Sequence, residues 1–118
     1  MVRIVNDNGT VSISNEVFTN IAGDAATKCF GVKGMVGKSK ESGLYQLLRR
    51  ESMSKGVSVS FNEEDNSTSI ALHIAVDLGV NIAVLAKSIM SEVSYKVNQA
   101  TGVPVKSVDV YIDSMIID

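Results

Sequence analysis

No tryptophan occurs in this chain, and it holds only one cysteine, one histidine and one proline. With three phenylalanines and three tyrosines as its only aromatics, its core has to be assembled mainly from Val, Ile, Leu and Ala. A lone Cys29 allows no internal disulfide, so a reducing cytoplasm is the expected compartment. A lone His73 leaves no HxH or HxxxH pair, and a metal site would have to recruit carboxylates alone. Neither a metal nor a cofactor is expected. Long apolar runs are missing too. Ile70 to Val76 is interrupted by His73, and Val80 to Ala86 by Asn81. Neither approaches the roughly 18 residues a membrane span needs. The start, MVRIVNDNGT, lacks the apolar stretch of a secretory signal.

Charge of one sign is also scarce. The net of −2 implies no bulk attraction to nucleic acid. Its distribution is uneven, however. Lys33, Lys38, Lys40, Arg49, Arg50 and Lys55 face only Glu41 and Glu51 in their segment, a local net of +4 that leaves −6 elsewhere. This segment is either a solvated loop with a short helix or a basic edge for an anionic partner. A length of 118 residues suits one domain, 1–118.

What is present is regular patterning. Arg3 to Val5 and Thr10 to Ile13 read as extended pieces around an Asn-Asp-Asn-Gly turn. Ser14 is a helix N-cap, Glu16 favours the first turn, and Ile13 with Phe18 stand as a hydrophobic staple. The first helix is predicted from Asn15 to about Cys29, with Phe18, Ile21, Ala22, Ala25 and Cys29 on one face. Gly31 stops it. Val32 to Val36 reads as a strand, Lys38 to Gly43 as a polar loop and Leu44 to Arg50 as one or two helical turns. Val57, Val59 and Phe61 alternate with Ser58 and Ser60. Ile70, Leu72, Ile74 and Val76 alternate with Ala71, His73 and Ala75. The acidic turn Asn62 to Ser67 makes these two strands a hairpin. A second helix is predicted from Ile82 to about Ala100, capped by Asn81, with a stripe of Ile82, Leu85, Ala86, Ile89, Val93, Val97 and Ala100. Gly102 and Pro104 end it. The last strand, Lys106 to Ile116, sets Val108, Val110 and Ile112 against Asp109, Tyr111 and Asp113.

This order, α-β-β-β-α-β after a short extended segment, predicts an α+β two-layer sandwich. Both main helices would lie on one face of a mixed four-stranded sheet. The other face would show Ser58, Ser60, Ala71, His73, Ala75, Asp109, Tyr111 and Asp113. It is too polar for a core and poor in long charged side chains, so it reads as a contact face or a solvated one.

Motifs that carry chemistry fail on inspection. Gly37-Lys38-Ser39 would need a glycine at position 32 to wrap a phosphate, and valine stands there. Gly31-Val32-Lys33-Gly34 matches the GxxG of KH-type RNA-binding loops, but a strand rather than a second helix should follow it. An RNA platform on the open sheet face would offer Tyr111 alone, beside Asp109 and Asp113, which repel phosphate. Cys29 falls at a helix C-terminus, which disfavours thiolate. Glu63, Glu64 and Asp65 sit in a turn and read as solvation. No catalytic residue is expected.

An ordered set of short motifs resembles the alkaline-shock-protein family. These are Gly9-Thr10-Val11-Ser12-Ile13-Ser14 with Glu16-Val17, Ile21-Ala22-Gly23 with Ala25-Ala26, and Gly31-Val32-Lys33-Gly34-Met35. Lys55-Gly56-Val57 with Val59 and Thr101-Gly102-Val103-Pro104-Val105 with Val108-Asp109-Val110 complete it. The resemblance implies a cytoplasmic, non-enzymatic protein of Gram-positive bacteria linked to cell-envelope stress and homeostasis. It also implies self-association and recruitment near the membrane by a separate anchor or envelope-associated protein. The expected function is therefore a self-associating protein-interaction domain. Its partner-binding candidates are Lys38, Lys40, Arg49, Arg50, His73 and Tyr111. The alternative is a small RNA-binding domain using the basic 33–55 segment.

Overall fold

The computed structural model describes residues 1–38, 45–47 and 56–117. Two strands, β1 (Val2–Asn6) and β2 (Gly9–Ile13), form an antiparallel hairpin of their own. Helix α1 (Asn15–Thr27) follows, capped by Ser14, whose hydroxyl accepts from the Glu16 amide at 3.3 Å. This helix stops two residues short of the predicted Cys29. The Lys28 amide already closes back onto the Ala26 and Asp24 carbonyls there.

Strands β3 (Val32–Lys38), β4 (Tyr45–Leu47), β5 (Val57–Asn62) and β6 (Ser67–Asp77) come next, then helix α2 (Ile82–Thr101) and strand β7 (Val105–Ile116). β4 corrects the expected helical turns across Leu44 to Arg50. The backbone of Tyr45–Leu47 pairs antiparallel with Val36, Gly37 and Lys38. One or two turns of isolated helix are marginal in water, whereas an edge strand finds backbone partners already in place. Its companion residues Lys40, Arg49 and Arg50 lie outside the described residues, as does the side chain of Lys38.

β6 organises the sheet. β5 pairs antiparallel with its first half, Ser67 to Leu72, and β3 antiparallel with Ile74 to Val76 on the same edge. The path β4-β3-β6-β5 is thus antiparallel throughout. The sheet has five strands instead of the expected four, because β4 joins its edge. The four strands on this path are antiparallel, and β7 is laid parallel along the opposite edge of β6 by the α2 crossover. Where β3 and β5 abut, Gly56 is buried. A Cβ there would stand 3.0 Å from the Val36 carbonyl oxygen and 3.1 Å from Met35 Cβ, a close approach that a larger residue could make only by displacing its neighbours slightly.

Both helices pack on one face of the sheet. Phe18, Ala22, Ala25 and Ala26 of α1 and Leu85, Ile89, Val93 and Val97 of α2 share a core with Ile70, Leu72, Ile74 and Val76 of β6. The small side chains of α1 permit a close approach. Each fully buried aliphatic side chain contributes about 1.5–3 kcal/mol. Val2 of the hairpin is buried in the same cluster, which ties the hairpin to the body. Ile82 and Ala100 depart from the predicted stripe and are exposed. They sit in the first and last turns of α2, at the margins of the layer beneath.

Candidate functional site

The sheet face turned away from the helices is the candidate site. Ser58, Ser60, Asp109 and Tyr111 are exposed on it, and Ala71, His73 and Asp113 half-buried. Ala75, assigned to this face by alternation, is buried. Its ladder neighbours are Gly34 on β3 and Ser114 on β7.

His73 and Tyr111 are direct partners across the parallel β6–β7 ladder. Cross-strand partners point to the same face, and here their rings stack, with centroids 4.7 Å apart and planes 10° from parallel. The ladder then slips. Ile74 pairs with Ile112 but Ala75 with Ser114, so Asp113 has no partner of its own. This bulge re-aims a side chain, as bulges do. Asp113 Oδ2 lies 2.7 Å from His73 Nδ1. An ionised carboxylate only accepts, so Nδ1 carries the proton and Nε2 is left for any further contact. The imidazole is thereby held on two sides, by a ring and by a carboxylate. Beside this cluster is a shallow hollow of about 160 Å³ lined by Ser58, Ser60, Ser69, Ala71 and Asp109, among others. It offers hydroxyls and one carboxylate.

Of the predicted site residues, the structure brings His73 and Tyr111 together. Lys38, Lys40, Arg49 and Arg50 fall, by side chain, outside the described residues. Asp113 was not among the candidates. Alternation along β7 put it on the right face, but its contact with His73 depends on a strand pairing and a bulge that alternation does not encode.

The remaining motifs resolve structurally. Gly31 lies in the turn after α1 and Val32 opens β3, so the GxxG does not join two helices. Gly37 pairs with Gln46 inside the β3–β4 ladder, not in a loop ahead of a helix. Glu63, Glu64 and Asp65 are exposed in the β5–β6 turn. Hydrogen bonds from Ser67 hold the Asp65 carboxyl below its ordinary range. Among the described residues no group of three His, Cys, Asp or Glu could hold a metal ion, and no helix is long and apolar enough to cross a membrane.

Burial pushes the half-buried Cys29 thiol up from its ordinary value. Its Sγ also lies 3.6 Å from the Ala25 carbonyl oxygen. Alkylation by iodoacetamide at neutral pH should therefore be several-fold slower than for the unfolded chain, because thiolate is the reactive form. Equal rates in native buffer and in denaturant would contradict that placement.

A two-helix layer on an open sheet whose strands are antiparallel except for β7, with a shaped contact face, defines a small α+β domain class. Within it, residues 3–117 match the alkaline shock protein 23 family, described as having a cell envelope-related function, and the chain belongs to that family. It is 38% identical over 108 residues to the uncharacterized protein YloU of Bacillus subtilis, covering 91% of this chain and 88% of that one. To the uncharacterized protein Spy1614 of Streptococcus pyogenes serotype M6 it is 31% identical over 115 residues, covering 97% and 93%. Its fold is similar to the MamM CTD in its copper form, with a TM-score of 0.51 at 17% identity over 86% of this chain and 87% of that one. A manganese form of a MamM CTD variant gives the same TM-score at 17% identity, over 86% and 99%. At such identity the likeness concerns the fold alone. Neither the family description nor the relatives' names indicate an enzymatic activity.

Proposed function

We propose that this chain is a non-enzymatic, self-associating protein-interaction domain serving cell-envelope homeostasis. It works in the cytoplasm and is drawn near the membrane by a partner protein. The observation that carries this reading is the uncovered sheet face with its preorganised His73–Tyr111–Asp113 cluster. An aromatic ring that is already fixed loses little entropy on docking, and tyrosine is a frequent anchor at protein contacts. Asp109 and Asp113 on the same face favour a protein partner over a phosphate backbone.

The test is affinity capture from the native cell, with membrane and soluble fractions kept apart, alongside sedimentation of the purified chain. Capture of an envelope-associated protein and concentration-dependent association support the reading. A strict monomer that retains no envelope protein defeats it. Tyr111→Ala should weaken the captured complex by about 2 kcal/mol, a loss of about thirtyfold in affinity. Unchanged affinity would remove the open face from the interaction.

A further inference from the structure

The outer edge of β7 carries a second surface. This strand runs 12 residues, Val105–Ile116, and pairs with β6. Among the described residues no strand pairs along its other side. An edge strand presents a row of backbone N–H and C=O groups that a further strand can take up. The side chains show the same lack of cover. Val110 and Ile112 pack against the core but are only half-buried, whereas their ladder partners Leu72 and Ile74 are fully buried. The ladder slips between Val105 and Ser107 and again at Asp113, so the strand is regular from Ser107 to Ile112.

The charges along this stretch fit a second β7, and in one register. A two-fold contact between identical edges runs antiparallel. Opposed side chains in such a pair share a face, so one residue must stand opposite its own copy. Centred on Asp109, the pair sets that carboxylate against itself. Centred on Tyr111, it sets Asp109 against Asp113. Like charges directly opposite are destabilising. Centred on Val110, it sets Asp109 opposite Tyr111, whose hydroxyl can donate to the carboxylate, and Val108 opposite Ile112. That register stays inside the regular stretch and opposes no like charges. The helix above the edge agrees with it. α2 lies against β7, while α1 lies against β3 and β5. Glu92, Lys96 and Gln99 of α2 line its groove with α1, so helical spacing puts Ala86, Met90 and Ser94 on the opposite flank, over the open edge. That line carries no charge, and Met90 is exposed on it. A second α2 would meet a neutral surface like its own.

We propose that two copies of the chain join edge to edge through β7, antiparallel about Val110, so that the sheet of one continues into the other. The inference rests on the self-association reading above and gives it a place. The open face with Tyr111 then runs on across both copies. Sedimentation velocity of the wild-type chain over a wide concentration range should show association. In a Cys29→Ala background, Val110→Cys should give a disulfide-linked dimer on treatment with diamide. Facing Cα atoms of an antiparallel pair are about 4.5–5.5 Å apart, within disulfide reach. Ile112→Cys should give none, because its own copy lies four residues along the strand, more than about 13 Å away. Tyr111→Asp sets two pairs of like charges face to face and should raise the dissociation constant about tenfold. Adding Asp109→Lys makes both pairs opposite in sign and should restore association. Circular dichroism should be unchanged in both variants, because the two side chains are exposed. If the wild type associates without the Val110 disulfide, with equal cross-linking at Ile112, or without rescue by Asp109→Lys, the inference is overturned and self-association stands. If the wild type is monomeric throughout, self-association fails and the inference with it. If β7 amides of that monomer gain hydrogen-exchange protection only with a captured envelope protein, the edge takes a partner's strand and the second-copy assignment is overturned.

Discussion

Phe18→Ala should lower the free energy of unfolding by about 3–5 kcal/mol. Phe18 stands in the first turns of α1, fully buried in the core cluster. Of the chain's other two phenylalanines, Phe30 is almost fully exposed and Phe61 is half-buried. Truncation removes a ring's worth of transferred surface and leaves a cavity. The small side chains Ala22, Ala25 and Ala26 on the same helix cannot extend to fill it, so the cost should fall high in that range. A domain of this size is stabilised by about 5–15 kcal/mol in all, and the variant would lose a large share. Urea denaturation measures the loss. Phe30→Ala is the matched control, with an expected change within about 0.5 kcal/mol. Equal effects at the two positions would contradict their burial.

Gly31→Ala should cost about 3 kcal/mol from two separable sources. The backbone there has φ +98, outside the conformations that L side chains adopt readily, which accounts for about 1–3 kcal/mol. An added Cβ would also lie 2.8 Å from Val80 Cγ1, an overlap that costs a similar amount. The chain cannot simply rotate away, because the Gly31 carbonyl accepts the Asp77 amide. Val80→Ala removes the obstructing methyl. The double variant should therefore recover about 1 kcal/mol relative to the sum of the singles. Strict additivity in thermal or urea unfolding would show that the turn moves clear of Val80.

Much of the fold was legible because its signals are local. Ser14 and Asn81 cap the two helices through their own side chains, accepting from the Glu16 and Val84 amides. Gly102 and Pro104 end α2 where expected. Alternation in β5, β6 and β7 identified the core-facing residues Val57, Ile70, Leu72, Ile74, Val76 and Val108, all buried. What escaped was set by partners distant in sequence. Leu44, Leu47 and Leu48 have helical spacing, yet Tyr45–Leu47 is held as a strand by β3. Ile82 continues an apolar stripe by spacing, yet the layer beneath does not extend far enough to cover it.

The candidate site divides in the same way. Alternation put His73 on one face of β6 and Tyr111 with Asp113 on one face of β7. Their meeting required β7 to lie parallel beside β6 in one register, with a slip at Asp113. Nothing within either strand states that register. It is selected by which arrangement buries Val108 in the core and leaves the polar faces outward.

The sequence by itself determined where elements start and stop and which side of each is apolar, because capping, turn chemistry and periodicity act between residues a few positions apart. Only the tertiary structure decided which strands adjoin and that an imidazole rests between a phenol and a carboxylate. Those outcomes follow from packing all elements around one core at once, where each pairing is chosen by the burial it permits elsewhere.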